Sequence, residues 1–141
     1  MLVLDANILV RAIFGRRVPD ILHAHTDRCR FVVTDAAVAE ARQHIPRICA
    51  RRRLDSALFH GMLDELLTKL EVIDSSTYGE RESDAKYLIA ERDDDDWPTL
   101  AAAMVLACPV WTEDLDFFGL GVATWQTRRV EFFLERSGYQ N

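Results

Sequence analysis

The apolar runs of this chain are short, and nearly every one is followed by a stretch with helical spacing. Leu2-Val3-Leu4, Phe31-Val32-Val33, Glu71-Val72-Ile73 and Pro109-Val110-Trp111-Thr112 are too brief for core helices and have the β-branched or aromatic character of buried strands. Between them, apolar residues return every three or four positions. Strands alternating with helices at these intervals predict a mainly parallel sheet with helices on both faces.

The helical stretches can be placed by their caps and stops. From Ala6 to Phe14, Ile8, Leu9, Ala12 and Ile13 share one face, with Gly15 as the stop. Pro19 to Asp27 reads as a second short helix. After Thr34-Asp35, either of which suits an N-cap, Ala37, Val38, Ala41 and Ile45 define a helix expected to break or kink near Pro46. Leu54 to Leu70 is the most amphipathic segment; its stripe of Leu58, Met62, Leu66 and Leu70 is wide enough to cover a sheet, and part of it is open to a dimer contact. Tyr78 to Arg92 and Trp97 to Ala107 complete the central helices, with Pro98 in a first turn. Val122 to Thr124 is expected as an edge strand and Gln126 to Arg136 as a closing helix.

At 141 residues the chain is expected to form one domain with a core that needs no covalent staples. Cys29, Cys49 and Cys108 are odd in number and far apart, which fits reduced thiols and neither a zinc site nor a disulfide framework. No apolar run approaches the roughly 20 residues needed to span a bilayer, and no basic segment precedes the first strand, so a cytoplasmic protein is expected. The net charge of −6 argues at first against a nucleic-acid partner. Yet of the 17 basic residues only Lys69 and Lys86 are lysines, leaving 15 arginines, several of them clustered: Arg16-Arg17, Arg51-Arg52-Arg53 and Arg128-Arg129. Arginine's planar fork suits phosphate, and a basic rim around an acidic centre would still sum to an acidic chain.

Acids stand where the strands end. Asp5 follows the first strand, Glu40 lies one turn into the helix after the second, Asp96 sits at a helix start, and Asp114 and Asp116 follow Val110-Trp111-Thr112. In a parallel α/β sheet the carboxyl ends of strands and the amino ends of the following helices share one edge, where ligands bind. Carboxylates gathered there cannot all stay ionised without a cation, and hard oxygen donors suit Mg²⁺ or Mn²⁺ better than zinc. Each acid also has a plain structural role open to it: Asp5 and Asp96 as helix caps, Glu40 on a solvated face, Asp114 and Asp116 as turn formers.

The sequence Asp5-Ala6-Asn7 after a strand, Glu40 after a Val-Thr-Asp turn, Asp95 to Ala103 (DDWPTLAAA) and Trp111 to Gly119 (WTEDLDFFG) resembles the PIN-domain ribonucleases, and within them the VapC-type toxins. The resemblance runs over nearly the whole chain and is most specific in its C-terminal half. It implies a single PIN domain over residues 1–141, a three-layer α/β/α sandwich on a mostly parallel five-stranded sheet. It matches Asp5, Glu40, Asp96 and Asp114 to the family's four metal-binding catalytic acids, with Asn7, Thr112 and Asp116 in support. The bulky Trp97-Pro98 pair departs from many relatives of this type. The implied activity is Mg²⁺- or Mn²⁺-dependent hydrolysis of RNA, leaving a 5′-phosphate and a 3′-hydroxyl. The implied partners are an RNA substrate, a small antitoxin and a second copy of the chain. His44, one turn from Glu40, is not required by this chemistry.

Other readings have their own marks. A phosphatase of the haloacid dehalogenase type also begins with an acid after its first strand, but it wants a second aspartate where Asn7 stands and a well-placed lysine. A catalytically inactive PIN binding module would have lost one or more of the acids. A stand-alone RNA-processing nuclease would keep them and lack an antitoxin.

Overall fold

The structure, a computed structural model, describes residues 1–137; the last four residues of the expected 1–141 domain lie outside the described residues. Five strands form one sheet: β1 (Leu2–Leu4), β2 (Phe31–Thr34), β3 (Glu71–Ile73), β4 (Val110–Trp111) and β5 (Thr124–Trp125). Their order is β3-β2-β1-β4-β5 and all four pairings are parallel. The register sets Leu2 beside Phe31, and Val3 beside both Val32 and Val110.

Strand alternation divides the core in two. Leu2, Leu4, Phe31, Val33 and Trp111 face one side, where they pack against α1 (Ala6–Phe14), α2 (Arg17–His25), α3 (Asp35–Arg52) and α8 (Val130–Ser137), with Leu63 of α4 (Ser56–Leu67) completing the cluster. Val3, Val32, Ile73 and Val110 face the other side, against α5 (Ser75–Tyr78), α6 (Glu82–Ile89) and α7 (Trp97–Leu106). The three-layer α/β/α arrangement is therefore present, with the sheet fully parallel. No helix among the described residues is long and apolar enough to cross a membrane.

Several expected boundaries move for physical reasons. Helix α3 runs through Pro46 to Arg52 without breaking. Pro46 is on the exposed side, where the carbonyl left without a helical partner can be met by water. Helix α2 starts at Arg17, placing Pro19 in its first turn. The α4 stripe does not cover the sheet, because α1 and α3 already do. Leu63 is buried while Leu58 is 60% exposed. The expected helix from Tyr78 to Arg92 is divided into α5, a 3-10 turn over Gly79–Arg81, and α6. The last strand is Thr124–Trp125 rather than Val122 to Thr124, and α8 starts at Val130.

The chain steps outward from β1 to β2 and β3, then crosses back to place β4 on the other side of β1. The crevice at the carboxyl ends of β1 and β4 is thus the point where the winding reverses. Ligands of open α/β sheets bind at such a point.

Candidate active site

Asp5 lies at that switch point. Its N–H donates to the Trp111 carbonyl, which ties the end of β1 to β4. The residue is 3% exposed and both carboxylate oxygens are engaged: Oδ1 accepts from the Ala6 N–H at 2.8 Å, and Oδ2 accepts from Asn7 Nδ2 at 2.8 Å and Thr112 Oγ1 at 2.7 Å. Thr112, buried at the end of β4, also accepts from the Asp114 N–H at 2.9 Å. Asn7 Oδ1 accepts from the Glu113 N–H at 3.2 Å. Asn7 and Thr112 thereby connect two strand ends that are distant in sequence and fix the direction in which Asp5 points.

Asp96 is reached by a different route. Asp93 caps a 3-10 turn over Asp94–Asp96, its Oδ1 accepting from the Asp95 N–H at 3.1 Å, and α7 begins at the next residue. Three residues per turn put positions i and i+3 on one face. Accordingly Asp93 and Asp96 both line the cleft, and Asp94 and Asp95 do not. The Asp96 side chain makes no capping bond to α7, and its Oδ2 is buried without a hydrogen-bond partner among the described residues. Trp97 behind it packs edge-on to Tyr78, whose hydroxyl donates to Asp35 Oδ1 at 2.6 Å.

Asp5, Glu40, Asp96 and Asp114 line one cavity of about 320 Å³, with Asn7, Val10, Arg11, His44, Ile48 and Asp93 in the same wall. Glu40 rises from α3, with His44 Nε2 3.5 Å from its carboxylate. Asp114 uses Oδ1 to accept from the Asp116 N–H at 2.9 Å, so part of its role is to hold the turn over Leu115–Phe117. Asp116 contributes its backbone to that turn and is not in the cleft wall. Sequence reasoning missed Arg92, whose guanidinium donates to the carbonyls of Asp116 and Phe118 and latches the acidic turn from behind. Backbone carbonyls leave no mark in a sequence, so nothing there could have revealed it. Arg11 was also missed as a cleft residue, and Asp93, passed over in favour of Asp96 because it stands further from the helix start, lines the same wall; its i, i+3 spacing from Asp96 is a usable signal.

The electrostatics show what this crowding does. The Asp5 carboxyl is raised to about 6, chiefly by burial and in smaller part by the charges of Glu40 and Asp114, against the hydrogen bonds from Thr112 and Ala6. Asp96 is pushed to about 8, first by burial and then by the charges of Asp5, Asp93, Asp114 and Glu40. Among the described residues no three acid, histidine or cysteine side chains stand at metal-ligating distances of a common point. The carboxylates ring the cleft instead of closing on its centre. Oxygen donors, excess negative charge and an orphaned buried Asp96 Oδ2 nevertheless fit a divalent cation, which would supply both the missing charge and the missing partner.

The sheet order, the helical layers and this acid-lined switch point define a PIN-type α/β domain. The PIN domain model matches residues 3–135, and the chain belongs to that family. Its fold is similar to VapBC2 from Rickettsia felis bound to a DNA fragment from its promoter, with TM-score 0.72 and 16% identity over 89% of this chain and 97% of that one. DNA-bound VapBC from Salmonella typhimurium matches with TM-score 0.68 and 16% identity over 89% of this chain and 97% of that one. The sarcin-ricin loop cleaving toxin VapC20 of Mycobacterium tuberculosis matches with TM-score 0.61 and 15% identity, covering 87% and 97% of the two chains. No curated protein matches the sequence.

Proposed function

We propose that this chain is a divalent-metal-dependent endoribonuclease and the toxin of a toxin–antitoxin pair. The observation that carries the nuclease reading is the buried, unpartnered Asp96 Oδ2 in a cleft it shares with Asp5, Glu40 and Asp114. These four acids, which line the one cleft, would hold Mg²⁺ or Mn²⁺. The ion supplies Lewis acidity toward a phosphoryl oxygen and toward water. The chain's own residues perform the orientation. Thr112 and Asn7 hold Asp5 Oδ2 in a single direction, so that charge is placed before the RNA arrives. The Arg92 latch and the bond from the Asp116 N–H keep Asp114 at the cleft. His44 Nε2 lies 3.5 Å from the Glu40 carboxylate, at the edge of the same wall.

The toxin role is supported by the toxin–antitoxin complexes among the similar folds. An antitoxin would be a small protein with a basic side chain that enters the acid cleft. A homodimer acting in the cytoplasm, each copy one PIN domain, completes the reading. A phosphatase of the haloacid dehalogenase type is disfavoured, because Asn7 stands where its second aspartate would be and only Lys69 and Lys86 are available as its lysine.

Purified chain is expected to cleave RNA with Mn²⁺ or Mg²⁺ and to stop in excess EDTA. Asp5→Asn should lower the rate by more than the roughly 10- to 100-fold typical of losing a group that only supports a metal ligand. Equal cleavage in EDTA, or full activity of Asp5→Asn, would overturn the nuclease reading. Expression of the wild-type chain alone should arrest bacterial growth while Asp5→Asn should not; growth unaffected by the wild type would leave a stand-alone nuclease in place of a toxin.

A further inference from the structure

The acid cleft does not end at its acids. A second hollow of about 410 Å³ adjoins it, and the two share Val10, Arg11 and Ile48 in their walls. Where the first is lined by carboxylates, the second is lined by Arg11, Arg51 and Arg52. The change of sign follows from helix geometry. Helices α1 and α3 pack side by side, and both leave the same edge of the sheet. On α3, Glu40, His44, Ile48 and Arg51-Arg52 lie along one stripe, about 18 Å from first to last. The groove between the two helices thus runs from acids at their amino ends to arginines at their carboxyl ends.

These arginines are available for a ligand. Among the described residues none of the three forms an ion pair, whereas Arg17, Arg30, Arg42 and Arg81 do. Arg52 lies over the Phe14 ring, 5.6 Å from its centroid, and Phe14 stacks on Phe59 with centroids 4.6 Å apart. A guanidinium drawn to a ring face at that distance spends none of its N–H donors on a carboxylate, so Arg52 keeps them for a ligand.

We infer that the groove formed by Arg11, Arg51, Arg52 and Phe14 is the track for the phosphate backbone of single-stranded RNA on one side of the scissile bond. The inference rests on the nuclease reading and gives it a direction. A polyanion entering an acidic cleft needs cationic groups beside it, and this groove is continuous with the cleft. An acidic protein tail is the competing occupant. It explains the arginines less well, because it does not require continuity with the acids. Stabilisation of the helix dipole by last-turn arginines accounts for position on the helix, but not for convergence of α1 and α3 arginines on one hollow.

The test uses full-length chain carrying Arg51→Gln and Arg52→Gln together. Binding of a short fluorescein-labelled single-stranded RNA is measured by anisotropy in an Asp5→Asn background, which suppresses cleavage. The Gln pair should weaken binding about tenfold and flatten the slope of log K against log salt by roughly 0.7 for each phosphate no longer neutralised. In chain with intact acids it should raise KM while leaving kcat nearly unchanged, as removal of uniform binding does. An Arg51→Lys, Arg52→Lys pair should restore the salt slope without full affinity, since lysine keeps the charge but not the fork. Unchanged affinity and slope in the Gln pair, with metal-dependent cleavage intact in the wild type, would overturn the groove and leave the nuclease standing. Wild-type chain that neither binds nor cuts RNA would overturn both. Failure of the Gln pair to hold an acidic protein partner, with RNA binding unaltered, would assign the groove to protein and overturn the inference.

Discussion

At the scale of single residues the site depends on one asymmetry. Asp5 is buried with hydrogen bonds on both oxygens, and Asp96 is buried with one oxygen unpartnered. Both carboxyls are raised, to about 6 and about 8, from an ordinary value of 3.8. An acid whose folded pKa is raised holds its proton longer when folded than when unfolded. Between about pH 4 and pH 8 the folded state therefore binds more protons, and stability falls as pH rises through that window. The penalty is absent below pH 4 and complete above pH 8. In EDTA the chain is expected to melt at a lower temperature at pH 8.5 than at pH 5, and Asp96→Asn should remove most of that difference. Mn²⁺ should raise the melting temperature of the wild type more at pH 8.5 than at pH 5, the stabilisation reaching about 2.7 kcal/mol where the free ion stands at a hundredfold its Kd. Calorimetric melts at the two pH values decide it. A wild-type chain in EDTA no less stable at pH 8.5 would show that Asp96 is not buried in its charged form.

At the scale of elements, what the sequence made legible was whatever local periodicity controls. The β1 and β2 runs, α1 with its Gly15 stop, and the Trp97-Pro98 helix start could be read directly, because apolar spacing and caps act within a few residues. Helix α4 was misread because amphipathicity does not say which neighbour a stripe meets, and the sheet was already covered by α1 and α3. Of the four consecutive aspartates, Asp96 could be singled out by the helix start that follows it. Asp93 stands three residues before Asp96 and has only that i, i+3 spacing to mark it, because the all-acid run has no apolar rhythm to announce a 3-10 turn. Pro46 shows local chemistry overruled by packing: Ile45 and Cys49, fully buried on either side of it, keep α3 continuous where a proline should stop it. That continuity has a cost, so Pro46→Ala should stabilise the fold. A helix-interior proline is about 3 kcal/mol worse than alanine, offset by about 1 kcal/mol of unfolded-state entropy, for a net gain of about 2 kcal/mol and several degrees in Tm. A thermal melt measures it; no rise would mean that α3 already accommodates the ring without strain.

At the scale of the whole molecule, the fold brings two opposed fields to one edge of the sheet. The net charge of −6 should repel RNA, and the acid cleft at the β1–β4 switch point concentrates that repulsion where the phosphate has to pass. The arginine groove beside it supplies the opposing attraction, so the metal-free molecule should hold RNA weakly and for reasons that can be separated. Removing charge from the cleft, without touching the groove, should tighten binding even as it abolishes cleavage. At about 10 Å a unit charge contributes roughly 0.4 kcal/mol in water and 1.7 kcal/mol at an effective dielectric of 20. Asp5→Asn with Asp96→Asn, measured in EDTA at pH 8.5 where both carboxyls are ionised in the wild type, should therefore bind single-stranded RNA about tenfold more tightly than the wild type. At pH 6 the gain should shrink, because Asp96 is already protonated and removing it changes little charge. Anisotropy titrations at both pH values are sufficient. Affinity that does not rise at pH 8.5 would mean that bound RNA does not cross the acid cleft, and that the arginine groove and the carboxylates serve different ligands.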